Sequence, residues 1–550
     1  MLKMKSQHIY LSKSSLKWWR LLFISVIIVG ICFRFVNIDK KAYWIDEVFT
    51  SLRVSGYHSE DVQPFRTGEE FGVEELQKLQ KIDPERGIDN TWEALKTHPE
   101  HTPLYFVLAR FWRNAFGDSV TAKRSLPIFL SLFAFPCIYW LCRELFGSSL
   151  ACWLAPALLA ISPLHLLYAQ EARHYSLWVV TTLLSSAALL RAVRIQTTLS
   201  WITYTLTATL ALYTSLFSVL VGLSHGIYVI LLGRFRLTRL VISHVLAGLA
   251  TLCLFTPWLW IMVSNYSQLQ ESVEHKQFKV SLSFLISQWI LNLTRNFIDI
   301  QFGIADPFKL ELSLARPSGY FALPVLILVI YAGYFIVRQA SPKVYLFIFS
   351  LVTLTGLTFA VLDIVDDGLR SVVPRYLLPC YLGVHIAVAY LLACKLSSRT
   401  EKSRKFWSLT VISLIVAGLF SCAVISQGET WWNKYSDYYN PEVAELINEV
   451  NRENKTLLIS NHVSRIFTLS YLLDPSLRIK ASRNAENIKE IDSSFDSILV
   501  YTSRQRRLSR KFREQLKEKY QVELKRLYKR KLDYRNRIIS VWKFQKYNER

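Results

Sequence analysis

Long uncharged runs recur along the chain, each with Arg or Lys at or near at least one end: 125–142, 145–170, 175–190, 195–233, 240–270, 317–337, 344–362, 376–394 and 406–428. A helix rises 1.5 Å per residue, so about 20 residues cross a bilayer core. The run 195–233 would make a helix roughly 60 Å long, twice the hydrocarbon thickness. It reads as two spans turning near Tyr213-Thr214-Ser215. A further span from about Trp18 to Val36 contains Arg34 and continues into Asn37 without a small-residue cleavage site, so it is read as a retained helix. Eleven helices are expected, and the fold class is a polytopic α-helical membrane protein.

Two loops are long, 37–124 and 271–316. Within the first, residues 103–116 (PLYFVLARFWRNAF) place Leu104, Val107, Leu108 and Phe111 on one helical face. With Arg110 and Arg113 inside it, the segment is expected to be an interfacial helix lying along the membrane. After Gly428 the pattern becomes that of a soluble domain: helix 441–450, strand 456–460, helix 463–473, strand 497–502, basic helix 504–520 and strand 538–544. Alternating strands and helices suggest a small α/β domain. The expected division is a membrane domain over 1–430 and a soluble domain over 431–550.

Composition agrees with this reading. Of 550 residues, 51% are hydrophobic, 14% aromatic and only 19% charged, which suits neither a disordered chain nor a polar soluble enzyme. The net charge of +23 would suggest nucleic acid as a partner for a soluble protein. Its distribution argues otherwise, because cations cluster in short loops of one side: Arg143; Arg191 and Arg194; Arg234, Arg236 and Arg239; Arg338 and Lys343; and Lys395, Arg399, Lys402, Arg404 and Lys405. The positive-inside rule makes that side cytoplasmic and puts both long loops on the other. Segment 504–531 carries thirteen basic residues against three acidic ones and is read as a solvated or anionic-lipid-facing surface, not a nucleic-acid site. Trp258, Trp260, Trp431 and Trp432 fit an aromatic belt. The eight cysteines lie in or at the ends of hydrophobic runs with no metal-ligand spacing. No phosphate-binding glycine loop is present, which disfavours an ATP-driven transporter.

Charges at the hydrocarbon edge are costly unless partnered or functional. Four groups qualify, and by the topology above all face the non-cytoplasmic side. Tyr43-Trp44-Ile45-Asp46-Glu47 offers a carboxylate pair that reads either as a loop acidic pair or as a general base or metal ligand. His98-Pro99-Glu100-His101 offers imidazoles for a metal or an acceptor, or ordinary loop residues. Tyr168 to Tyr175 packs a carboxylate (Glu171), a guanidinium (Arg173), an imidazole (His174) and two phenols into a turn between uncharged helices. The stretch 363–375 ends in Pro374-Arg375-Tyr376, where the guanidinium either anchors the interface or holds an anion such as phosphate.

Together these residues resemble the GT-C-type glycosyltransferases that use a polyprenyl-phosphate-linked sugar, in the bacterial branch similar to protein O-mannosyltransferases and lipid A aminoarabinose transferases. The matching pieces are YWIDEVFT at 43–50, HTPLYFVLARFWRNAFG at 101–117, the arginine and helix at 124–146, SPLHLLYAQEARHYSLW at 162–178 and PRYLLP at 374–379. Order and spacing agree over roughly 18–430. The family often has two prolines after the histidine, where this chain has Thr102-Pro103, and a proline after the arginine, where it has His174.

The resemblance implies transfer of a sugar to a lipid, glycan or protein acceptor with inversion, in a bacterial inner membrane with the active site facing the periplasm. Asp46 would be the general base, with Glu47 positioning it or a metal. Arg173 and Arg375, with Tyr175 and Tyr376, would bind the donor phosphate; His101, Glu171 and His174 would orient sugar, metal or head group. A divalent metal held by Asp46, Glu47 or His101 is an open reading, and no cofactor is otherwise required. The rival classes are a lipid-linked-sugar transporter or flippase and a non-catalytic binder. Inverted repeats and mid-span charges, which transport would predict, are not seen in the sequence.

Overall fold

The computed structural model describes residues 13–147, 150–273, 280–302, 308–314, 317–531 and 537–546. Parts of the long loop 271–316, namely 274–279, 303–307 and 315–316, lie outside these residues. Contacts divide the chain into two compact units: Met1–Ile38, His98–Tyr105 and Arg124–Gln427 form one, and Asp39–Thr97, Phe106–Lys123 and Gly428–Arg550 form the other.

The first unit is helical. Among the described residues eight helices are long and apolar enough to cross a membrane: Ser14–Phe35, Val120–Phe146, Tyr175–Ile195, Arg239–Ser264, Gly319–Gln339, Pro342–Val365, Pro374–Leu396 and Glu401–Gln427. Ala151–Ala160 and Pro163–Ala169 form a pair bent by 60°, which makes nine if the pair is one span. The two expected halves of run 195–233 are the helices Thr198–Thr214 and Ser218–Leu232, 17 and 15 residues long. The protein is thus a multi-pass membrane protein. Thr214 to Ser218 makes the turn: Ser215 is extended with its N–H on Ala211 O, and the Ser218 hydroxyl donates to the same carbonyl at 2.7 Å.

Arg34, the charge inside the first span, is buried and bonded to backbone carbonyls. Its guanidinium donates to Gly30 O at 2.7 Å and Ala160 O at 2.8 Å, and lies 4.8 Å from the Phe135 ring. Ala160 ends the first half of the bent pair, where a carbonyl loses its helical partner. A buried guanidinium stabilises such a break by supplying the missing donor.

The second unit is built on a six-stranded sheet in the order β1-β3-β2-β4-β6-β5: β1 Glu70–Gly72, β2 Thr456–Ser460, β3 Arg478–Ala481, β4 Ser497–Gln505, β5 Val522–Lys531 and β6 Arg537–Lys546. β2 pairs parallel with β3 and β4 and is buried along its whole length, as a central strand covered on both faces should be. Leu457, Ile459 and Val500 pack there with Phe512 and Leu516 of the helix Arg506–Tyr520. The outer pairs are antiparallel, and β5 is a basic edge strand, a composition that discourages pairing with a second chain. The α/β class expected for this segment is present. β1, from the long loop, adds to its sheet by pairing Glu70 with Lys480 and Gly72 with Arg478.

The segment expected to be an interfacial helix is the helix Leu104–Phe116. Its two arginines are buried among loop carbonyls. Arg110 donates to Val54 O at 3.1 Å and to Arg86 O; Arg113 bonds Ser55 Oγ at 3.0 Å, Gln80 O at 2.8 Å and Asp118. Each guanidinium carries five donors, enough to satisfy loop carbonyls that no strand or helix reaches. Phe111 and Phe116 stay exposed. The aromatic-belt expectation is also corrected in part. Trp258, Trp431 and Trp432 are buried, and Trp258 donates to Pro99 O at 3.1 Å, while Trp260 is exposed.

Candidate active site

The helical unit gathers the second, third and fourth charged groups. Gln170 sets the turn 170–174, because its amide donates to three carbonyls at the end of the first span, Phe33, Arg34 and Val36, at 3.0–3.2 Å. The Arg173 N–H reaches back to Glu171 O at 2.6 Å, which closes the turn before the helix Tyr175–Ile195 begins. Glu171, Arg173 and Tyr175 are buried and His174 is half-buried. The Arg173 guanidinium lies 5.6 Å from the Tyr175 ring, whose neighbours are Tyr168 at 5.2 Å and His174 at 4.8 Å.

Arg375 is presented by a different device. The Asp363 carboxylate, at the end of the span Pro342–Val365, accepts from Arg370 N at 2.8 Å and Ser371 N at 2.5 Å. Trp289 fixes Ser371 Oγ at 2.9 Å, and Asn292 fixes Val372 O at 3.0 Å. Pro374 then opens a short 3-10 turn, Pro374–Leu377, that leads into the next span. Arg375 lies 5.2 Å from the Tyr376 ring, itself packed on Phe217 at 5.0 Å.

The charges of both arginines are felt at His174. Burial, then the charges of Arg173 and Arg375, hold its imidazole well below the ordinary histidine range. Two fixed cations some 200 residues apart in sequence therefore act on one neutral ring. Such a pair of guanidiniums suits a phosphate, which Arg matches in shape as well as charge. His101 sits in a separate small cluster of the same unit. Its Nε2 and the Nδ1 of His98 each lie 3.6 Å from Glu100 Oε1, with all three side chains half-buried.

Asp46 and Glu47 belong to the other unit. They occupy the first turn of the helix Ile45–Val54, where carboxylates oppose the positive end of the helix dipole. Asp46 is half-buried, and its carbonyl accepts from Thr50 Oγ1 at 2.8 Å. Glu47 is fully buried and bound to a partner that sequence reasoning missed. Its Oε2 lies 2.9 Å from Lys434 Nζ and 3.4 Å from the Trp44 backbone N–H. Three residues on, Asp437 accepts from the Ile45 N–H at 3.1 Å. The signal that could have found both is a lysine and an aspartate within the aromatic run WWNKYSDYY.

The residues named for a divalent metal do not fit one as a set. Glu47 is already neutralised by Lys434, and His101 faces Glu100. Among the described residues no group of three or more His, Cys, Asp or Glu side chains is arranged to hold a metal ion.

Residues 98–261 match the family model described as dolichyl-phosphate-mannose-protein mannosyltransferase. The structure is similar to that of ArnT from Cupriavidus metallidurans in the apo state, at 12% identity and a TM-score of 0.50, over 96% of this chain and 98% of that one. The same protein bound to undecaprenyl phosphate matches over the same shares at 12% identity and a TM-score of 0.47. The apo oligosaccharyltransferase of Archaeoglobus fulgidus matches at 11% identity and a TM-score of 0.47, over 83% of this chain and 64% of that one. No curated protein sequence matches. By its segment 98–261 and by a fold shared along nearly its whole length, the chain resembles the GT-C-type glycosyltransferases that draw their sugar from a polyprenyl phosphate.

Proposed function

We propose that this protein transfers a sugar from a polyprenyl-phosphate donor to a lipid, glycan or protein acceptor, with inversion, on the non-cytoplasmic face of a bacterial inner membrane. The observation that carries the reading is the match of residues 98–261 to a family named for a polyprenyl-phosphate-linked sugar, in a chain whose Arg173 and Arg375 are held beside Tyr175 and Tyr376 by turns at the ends of its spans. The cation-rich short loops of the opposite side support the orientation.

A sugar on a phosphate has a good leaving group, so the protein's work is to activate the acceptor and receive the leaving charge. The Asp46 carboxylate takes the proton of the acceptor hydroxyl or amine as that atom attacks the anomeric carbon. The bond from that carbon to the phosphate oxygen breaks, and its electron pair leaves on polyprenyl phosphate. Asp46 then returns the proton to solvent. A single displacement inverts the anomeric centre. Arg173 and Arg375 compensate the phosphate, with Tyr175 and Tyr376 holding their guanidiniums in place, while His101, Glu171 and His174 orient sugar and head group. Glu47 positions Asp46. No step requires a metal.

The test is release of polyprenyl phosphate, followed by mass spectrometry, from a panel of polyprenyl-phosphate sugars given to the nanodisc-held protein with a membrane extract as acceptor source. Asp46→Asn is expected to abolish release while donor binding persists. Full turnover by that variant would remove the base assignment.

A further inference from the structure

The proposed base stands on a helix of ten residues whose first turn is held from one short segment 387 positions away. Lys434 Nζ bonds Glu47 Oε2 at 2.9 Å with both side chains essentially sealed from solvent, at 1% and 0% exposure. The ammonium also lies 5.3 Å from the Trp44 ring, and the same Glu47 oxygen accepts the Trp44 N–H. Asp437 takes the next amide: its Oδ2 accepts from Ile45 N at 3.1 Å. That carboxylate is itself immobilised, by Ser436 Oγ at 2.7 Å, Thr468 Oγ1 and Arg465 Nη1 at 2.9 Å and Asn440 Nδ2 at 3.1 Å. The two anchors are joined by their own turn, in which the Asp437 N–H donates to Lys434 O at 2.6 Å. Ala42 N–H bonds Glu429 O at 2.8 Å, so the entry to the helix is tied to the same segment.

Asp46 lies between the two anchored positions, Ile45 and Glu47. A backbone held on both sides of one residue fixes where its Cα–Cβ bond points, and a reacting group displaced by about 1 Å loses on the order of 100-fold in rate. We propose that Lys434 and Asp437 are positioning residues for transfer: they lock the first turn of the helix Ile45–Val54 so that the Asp46 carboxylate is held in one orientation. This rests on Asp46 being the base. It assigns a role in the reaction to the segment after the last span.

The experiment uses the full-length protein in nanodiscs. Lys434→Met leaves Glu47 buried without its cation and is expected to lose stability as well as turnover. The informative variant is therefore the double change Glu47→Gln with Lys434→Met, which removes both charges and restores stability while leaving the turn unlocked. It should melt within a few degrees of the parent, bind undecaprenyl phosphate within about threefold, and turn over about 10- to 100-fold more slowly. A merely structural ion pair would instead return kcat along with the melting temperature. Asp437→Asn supplies a readout independent of substrate, since amide exchange over 43–49 should rise at least about tenfold as the first turn opens more often. Parental kcat in the folded double variant, or unchanged exchange over 43–49 in Asp437→Asn, would overturn the proposal. Full activity in Asp46→Asn would instead sink the base assignment, which keeps the two failures apart.

Discussion

Arginine keeps its charge at any physiological pH, whereas burial and the charges of Arg173 and Arg375 hold the His174 imidazole below the ordinary histidine range. Replacing Arg375 by Lys keeps a charge but loses the planar fork, so binding of undecaprenyl phosphate should weaken about tenfold, roughly 1.4 kcal/mol, as titration by intrinsic fluorescence would record. The histidine carries a pH signature. Its folded value lies below the ordinary 6.5, so below pH 6.5 the unfolded chain binds a proton that the folded chain refuses. Its effect on stability is therefore neutral above pH 6.5 and unfavourable as pH falls further. His174→Asn should flatten the decline in melting temperature between pH 7 and 5. Asp437 has the opposite sign: burial raises its carboxyl, but the Arg465 guanidinium and three hydrogen bonds outweigh that and hold it below 3.8. Its contribution is complete above that pH and is lost as pH falls through the lowered value. Asp437→Ala, which strands Arg465 in the interior, should cost about 3–5 kcal/mol in denaturant unfolding. Asp46, Arg173 and Arg375 were visible as candidates in the sequence because charge beside hydrocarbon demands a reason. Lys434 was not, since its partner is 387 positions away and its neighbours Trp431 and Trp432 read as a membrane belt.

At the scale of elements, hydrophobic periodicity served well where packing is continuous and poorly where pairing decides. The central strand Thr456–Ser460 and the helix Asn440–Glu453 are apolar in the pattern their own burial requires. Strand β3, four residues long, and β1, three, are too short for any period to register. β5 (VELKRLYKRK) reads as a solvated basic stretch and becomes a strand only by pairing along β6, with an irregularity between Arg526 and Tyr528. The helix Leu104–Phe116 shows the same limit, for its arginines belong to a polar interior that only the folded loop creates. Arg113 there serves Ser55 Oγ, Gln80 O and Asp118 at once. Arg113→Met should therefore leave several buried groups unsatisfied and destabilise the unit by about 2–4 kcal/mol, measurable as a fall in melting temperature, while Arg143→Met, exposed in the last turn of the span Val120–Phe146, should not.

For the whole molecule, most spans were legible one by one because each is an apolar run between charged residues: eleven were expected, and among the described residues eight helices are long and apolar enough to cross a membrane, nine with the bent pair. The grouping of the loop segments 39–97 and 106–123 with the chain after Gly428 was not, because it depends on β1 meeting β3 and on Glu47 meeting Lys434. A chain ending at residue 427 should therefore keep its helical unit but lose order over 39–97, and trypsin should cut there at least tenfold faster than in the full protein. Equal protection would contradict the division into units. The proposed transfer turns on the acid–base role of one carboxylate, Asp46. Its most direct test is mass-spectrometric detection of polyprenyl phosphate released from a panel of polyprenyl-phosphate sugars by the parent protein and by Asp46→Asn, with a membrane extract as acceptor source. The account predicts release from at least one donor by the parent and none above background by the variant. Equal release by both, with the variant folded, would contradict it.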